Sequence, residues 1–161
     1  MKPITSVISL MTATLLVSGC NDSDSKMVMA CETALKERLL APSLYKRIEI
    51  DERKMPVDHE SYEARLVKNG QRDPSFTDDP SFTDEKIKDR LRRFDKGLST
   101  PVLLAVFIRY DSPNIYGTPI RYHAACAYLD DPEVHSEPKQ YNVEVNGKTD
   151  DEWRESKEAR Y

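Results

Sequence analysis

Three cysteines hold most of the reactive chemistry in this chain: Cys20, Cys31 and Cys126. A thiolate can be acylated, ligate a metal or be oxidised to a disulfide, and its surroundings decide which. Cys20 ends the run Val17-Ser18-Gly19-Cys20. Small side chains before that thiol let a peptidase reach the peptide bond, and leave the sulfur open to a thioether-linked diacylglyceryl group. Cys31 and Cys126 belong to no CxxC pair, and the histidines, His59, His123 and His135, are scattered. That spacing does not fit a zinc site, so no metal and no cofactor is expected. The acidic pairs Asp130-Asp131 and Asp150-Asp151 are of the type that does general acid–base work. They sit beside loop signals, where adjacent carboxylates are solvated charge. The chain has no GxSxG, HExxH or phosphate-loop motif, and no catalytic residue is assigned.

The segment before Cys20 gives that thiol its context. Lys2 is followed by an apolar stretch, Ile4 to Val17, interrupted by Thr5, Ser6, Ser9, Thr12 and Thr14. A spanning helix needs about 20 apolar residues, so this stretch is too short and instead suits the core of a signal peptide. With Val17-Ser18-Gly19-Cys20 it resembles the lipobox signal of bacterial lipoproteins. The resemblance implies cleavage before Cys20, removal of residues 1–19, and acyl chains of the palmitate type on Cys20. One acyl chain binds a bilayer at only about 10⁴ M⁻¹, whereas two or three on one residue anchor stably. The implied location is the cell envelope, lipid-anchored and facing the periplasm or exterior. Asn21, where an aspartate would resemble an inner-membrane retention signal, favours the outer membrane. The competing reading is an ordinary secreted chain in which Cys20 is structural. An odd cysteine count argues against it in an exported protein. Lipidation of Cys20 leaves Cys31 and Cys126, which can pair in only one way and would be oxidised in the envelope. Closing so long a loop stabilises by about 4–5 kcal/mol in the chain-entropy picture.

Charge excludes some partners. Of 161 residues, 24 are Lys or Arg and 28 are Asp or Glu; losing Lys2 with the leader leaves 23 against 28. A mildly acidic domain has no electrostatic footprint for nucleic acid and no polybasic lipid patch.

The elements that must position these groups can be read from periodicity. Residues 20–27 form a lipidated cysteine and polar tether, and 28–161 a single domain. From Val28 to Leu40, Cys31, Ala34, Leu35 and Leu39 share one helical face, and Pro42 ends the helix. Ile48-Glu49-Ile50 reads as a brief strand. Asp58 to Lys68 fits a helix capped by Asp58, though Tyr62, Ala64 and Leu66 also alternate as a strand would. Asp73-Pro-Ser-Phe-Thr-Asp78 is repeated at once as Asp79-Pro-Ser-Phe-Thr-Asp84, a tandem duplication of the kind exposed loops tolerate. Its acidic groups, Asp73, Asp78, Asp79 and Asp84, do not have the spacing of an EF-hand loop. Thr83 or Asp84 is expected to cap a helix whose apolar stripe is Ile87, Leu91, Phe94 and Leu98, stopped by Gly97. Val102 to Ile108 is unbroken apolar sequence and predicts a central strand covered on both faces. Asp111 to Pro119 is rich in turn formers. Then Ile120, Tyr122, Ala124, Cys126 and Tyr128 alternate in a second, antiparallel strand. Parity puts Cys126 on the apolar face of that strand, as Cys31 lies on the apolar face of the helix, so both thiols point to a helix–sheet interface. Tyr141, Val143 and Val145 predict a third strand closed by Asn146-Gly147. Thr149 to Glu152 has the form of a capping box before a final helix. The predicted fold is α+β: an N-terminal helix disulfide-clamped onto a small antiparallel sheet, with additional helices in an insertion.

Several pieces together resemble a group of small, uncharacterised bacterial envelope lipoproteins. They are Cys31 with Leu35-Lys36, Ala41-Pro42-Ser43, Tyr45-Lys46-Arg47, Phe94 to Gly97, Val106 to Asp111, Asn114 with Gly117, Arg121 to Cys126, Gly147 to Thr149 and Glu152-Trp153. The likeness spans most of the mature chain, with the repeat as a departure. It implies the two-cysteine helix-and-sheet framework and brings no catalytic residues. Function is then expected to be non-enzymatic: a membrane-anchored module that binds an envelope protein or cell-wall component. The candidate contact loop is Asn114, Ile115, Tyr116 and Gly117, since tyrosine at a hairpin tip is a frequent contact residue. The alternatives are a cell-envelope hydrolase using an acidic pair, and an inhibitor or exclusion lipoprotein.

Overall fold

The computed structural model describes residues 24–70, 80–134 and 136–158. Its first helix, α1, runs Lys26–Glu37, and the Ser25 side chain caps it by accepting from the Val28 N–H. The helix begins two residues earlier than the apolar pattern suggested, because Met27 is buried in the core and extends the stripe. A 3₁₀ turn at Pro42–Leu44 leads into β1, Lys46–Pro56, an eleven-residue strand in place of the brief one expected at Ile48–Ile50. Ser43 provides no side-chain cap to that turn. Helix α2, His59–Gly70, has the expected Asp58 side chain accepting from the Ser61 N–H at 2.7 Å, which settles the helix-or-strand ambiguity. Helix α3, Pro80–Asp95, starts inside the second copy of the repeat, so Thr83 and Asp84 lie within it and do not cap it. Proline's fixed φ suits a first helical turn. Asp73, Asp78 and Asp79 lie outside the described residues. Gly97, at φ 66°, ends the helix with its N–H on the Phe94 carbonyl.

Strands β2, Val102–Pro113, and β3, Pro119–Asp130, form the central hairpin, and β4 is only Glu144–Val145. The sheet is antiparallel throughout, in the order β1-β2-β3-β4. Of the third strand predicted from Tyr141, the first residue is exposed and only the end pairs, Val145 opposite Cys126. Asn146 and Gly147 adopt positive φ and turn the chain back, with Val145 and Lys148 exchanging backbone hydrogen bonds. Helix α4, Asp150–Glu158, is preceded by Thr149, whose N–H donates to the Glu152 carboxylate at 2.8 Å, the backward half of a capping box.

One sheet face carries Leu104, Val106, Ile108 and Tyr110 from β2 with Ala124, Cys126 and Tyr128 from β3, and α1 covers it with Met27, Val28, Ala30, Cys31, Ala34 and Leu35. The Cys31–Cys126 disulfide joins the two layers, with both residues essentially inaccessible. Among the described residues, the opposite face is covered only at one end. There Leu129 joins Tyr62, Leu66, Ile87 and Leu91 of α2 and α3. Glu144 of β4 holds Lys68 at 2.7 Å and Arg65 at 3.5 Å from α2. Toward the β2–β3 turn the cover stops, and Phe107 is 40% exposed. The expectation that Val102–Ile108 is covered on both faces therefore holds only for its first half. Leu98 was placed on the apolar stripe of α3, but it falls beyond the helix and is exposed.

The edge of α1 against β1 is electrostatic. Glu32, 8% exposed, accepts from Tyr45 Oη at 2.6 Å and from Arg47 Nε at 2.6 Å, and Arg47 also holds Asp24 at 2.7 Å. Burial pushes the Glu32 carboxyl pKa up, but hydrogen bonds from Arg47 and Tyr45 and the charges of Arg47 and Lys36 together hold it below its ordinary 4.5. A carboxyl whose folded pKa is depressed stabilises the fold above its unfolded pKa, and that contribution is lost as pH falls through the folded value. The Glu32 contribution should therefore start to fall in the ordinary glutamate range and be lost completely only below it. Glu32→Gln should flatten this part of the stability profile, measured by urea unfolding from neutral pH downward. An unchanged acid limb would show that Glu32 carries none of it.

Candidate contact surface at the hairpin tip and open sheet face

The β2–β3 connection is short because Asn114 organises it from the inside. Its side-chain Oδ1 accepts from the N–H groups of Tyr116 and Thr118 at 2.9 and 3.0 Å. Its own N–H donates to the Thr118 carbonyl, and its carbonyl accepts from Gly117 N–H, both at 2.9 Å. Gly117 takes φ 79°, a left-handed conformation that a side chain would strain. Four hydrogen bonds on one residue thus fix a loop whose next two side chains point away from the protein. Ile115 is 76% exposed and Tyr116 84% exposed, so all four candidate loop residues fall on one turn. Below the tip, Arg121 clamps Asp111 through two hydrogen bonds of 2.8 and 3.1 Å, which hold the Asp111 carboxyl below its usual range. This pair crosses between the hairpin arms, since the two residues are opposite in register.

The open end of the outer sheet face continues from this tip. A groove of about 360 Å³ is bounded by Glu49 and Asp51 of β1, Phe107 and Arg109 of β2, His123 and Ala125 of β3, and Asn146. Register explains the assembly, because Glu49 and His123 both sit opposite Arg109, and Asp51 and Ala125 both sit opposite Phe107. Arg109 is tied to Glu49 at 2.5 Å, and Arg53 lies over the Phe107 ring at 5.2 Å while its Nε donates to Asp51 at 2.8 Å. Asn146 closes the end by accepting the Ala125 N–H at 2.9 Å and donating its own N–H to the Ala125 carbonyl at 2.8 Å. The floor is thus a half-exposed aromatic ring beside an alanine, and the rim is made of paired charges. No single segment of the sequence marks this groove. Its signal was parity: Phe107 and Arg109 alternate with the core residues of β2, just as His123 and Arg121 alternate with those of β3.

One member of each acidic pair considered for general acid–base work has a structural partner. Asp131, 5% exposed, accepts from Tyr62 Oη at 2.6 Å and from the Glu133 N–H at 2.9 Å. Asp150 pairs with Arg154 at 2.8 Å one turn along α4, where Asp151 is exposed. His123 lies on the groove wall, His59 donates from Nδ1 to the Asp95 carboxylate at 2.7 Å on the surface, and His135 lies outside the described residues. Among the described residues no group of three or more His, Cys, Asp or Glu side chains is placed to hold a metal ion, and no helix is long and apolar enough to cross a membrane. Cys20 lies outside the described residues. No known family, curated protein or solved structure matches this chain.

Proposed function

We propose that this chain is a bacterial lipoprotein, anchored through acylated Cys20 and facing the periplasm or exterior, that works by binding and not by catalysis. Its contact surface is the hairpin tip at Ile115 and Tyr116, continued by the open face around Phe107. One observation carries the reading: two large apolar side chains stand more than three-quarters exposed on a loop pinned by Asn114. A protein ordinarily leaves such groups in water singly, and a preorganised pair saves the ordering cost that binding otherwise incurs. The structural bonds of Asp131 and Asp150 support binding over hydrolysis. The anchor is tested by intact mass on protein from native membranes, which should show loss of residues 1–19 and acyl mass on Cys20. The contact is tested with a photoreactive residue at Thr118. Replacing Ile115 and Tyr116 together by serine should cut crosslinking to envelope components at least about tenfold, since hot-spot truncations cost roughly 2 kcal/mol or more. The unfolding midpoint should not move, because these side chains stand mostly in solvent. Crosslinking that survives the double change would remove the tip from the contact surface.

A further inference from the structure

Resting on the binding function just proposed, and taking its partner to be a polypeptide, we infer that the free edge of β3, Pro119 to His123, is a site of strand addition. An extended segment of the partner pairs there, in line with β4. Hydrogen-bond parity carries the inference. Residues along an antiparallel strand alternate between turning their N–H and C=O groups to one neighbour and to the other. Ala125 gives both of its backbone groups to Asn146, the N–H to the side-chain Oδ1 and the carbonyl to the backbone N–H. The register with β2 runs without a bulge from Pro119 to Asp130. His123 and Arg121, on the same parity as Ala125, therefore also turn their backbone groups away from β2. β4 pairs only with Cys126 and Ala127. Among the described residues, nothing meets the N–H and C=O groups of Arg121 and His123.

Those groups select an extended backbone as their occupant. Donors and acceptors that recur about every 7 Å along a strand match the spacing of another strand. Charge distinguishes this edge of the sheet from the other. Seven of the eleven residues of β1 are charged, a pattern that opposes pairing with another chain. From Pro119 to Ala125 the one fixed charge is Arg121, and Asp111 already neutralises it. The open stretch also has definite ends, because Pro119 has no N–H and Asn146 covers Ala125. Side chains of an added strand fall on both faces of the sheet. On the α1 side they meet Ile120, which is 40% exposed, and the half-buried Tyr122. On the outer side they lie beside the exposed Arg121 and His123. The partner segment is thus one with apolar side chains two residues apart and polar ones between them. It runs down from the hairpin tip, so tip and edge form one continuous contact.

The test is residue-resolved amide exchange on the full chain in detergent. The probe is a synthetic heptapeptide of alternating valine and threonine at millimolar concentration, and its control is the same peptide N-methylated throughout. In the free protein the amides of Arg121 and His123 should exchange fast, and those of Tyr122 and Ala124, which face β2, slowly. The heptapeptide should slow Arg121 and His123 at least about threefold, and the methylated peptide should not. His123→Pro removes an N–H that β2 does not use and should abolish the slowing at Arg121, whereas His123→Ala should preserve it. If the proline disturbs the hairpin, the two peptides on the unaltered chain decide the matter alone. No slowing at Arg121 and His123, equal slowing by the methylated peptide, or equal loss in the proline and alanine variants of an intact hairpin would overturn the inference. The crosslinking experiment above keeps the two readings apart. Crosslinking lost in the double-serine chain, with no slowing at the edge, would keep the tip and overturn the edge. Slowing at the edge, with crosslinking intact in the double-serine chain, would support the edge and remove the tip.

Discussion

Replacing both Cys31 and Cys126 with alanine is expected to lower the unfolding free energy by about 4 kcal/mol. The bridge spans 95 residues, and the loop it closes contains β1, α2, α3, β2 and most of β3. An unfolded chain freed of that crosslink gains correspondingly more conformations. The folded state loses the clamp between α1 and the sheet but keeps the apolar contacts around it, with Ala34, Leu35, Val106 and Val145 closing on two small vacated sites. For a domain whose total stability is about 5–15 kcal/mol, that is a large share. Paired serines should cost more than paired alanines, because each buries a hydroxyl where no polar partner waits. The measurement is chemical denaturation of the wild type, the double alanine and the double serine. A double-alanine loss below about 1 kcal/mol would show that the bridge does not limit the unfolded ensemble. Because both sulfurs are inaccessible, a thiol reductant should act on the native protein only as fast as the helix–sheet interface opens.

That clamp was legible in the sequence for a physical reason. Cys31 shares a helical face with Ala34 and Leu35, Cys126 shares a strand face with Tyr128, and a residue's face follows from periodicity once the element type is right. The helix at Asp58, the turn at Asn146-Gly147 and the box at Thr149 and Glu152 were readable because each rests on contacts within a few residues. Elements that depend on distant partners were not. β1 is dominated by Lys46, Arg47, Glu49, Asp51, Glu52, Arg53 and Lys54, so apolar alternation marks only Ile48 and Ile50 and the rest of its length is not visible in the sequence. It is a strand because its register with β2 holds it from Lys46 to Pro56 around a bulge, and an edge strand so charged resists pairing with another chain. β4 is short for the complementary reason. Tyr141, Val143 and Val145 alternate, but the turns at 140–143 and the Asn146 bonds to Ala125 leave only two residues to pair. The contact loop was legible as composition. The groove beside it was not, because it arises from Phe107, Asp51 and Ala125 meeting across three strands.

The second large effect is expected at Tyr62. It is fully buried, its ring lies 5.2 Å from that of Phe94, and its hydroxyl donates to Asp131 at 2.6 Å. It therefore holds α2, α3 and the end of β3 together in a cluster that lies across the sheet from the α1 core. Tyr62→Phe keeps the ring and strands the Asp131 oxygen, at a cost of about 1–3 kcal/mol. Tyr62→Ala adds a cavity where the ring was, and should cost about 3–5 kcal/mol. The two cores share the sheet but not their side chains, so the damage should be local. Amide exchange should show α2 and α3 losing protection in Tyr62→Ala while the β2–β3 hairpin and α1 keep theirs. Equal loss everywhere would mean that the helical layer and the disulfide-clamped layer unfold as one unit. Local loss would mean that α2 and α3 form a separable cover on the outer face. Its opening would lengthen the groove from Phe107 toward Leu129 without disturbing the tip.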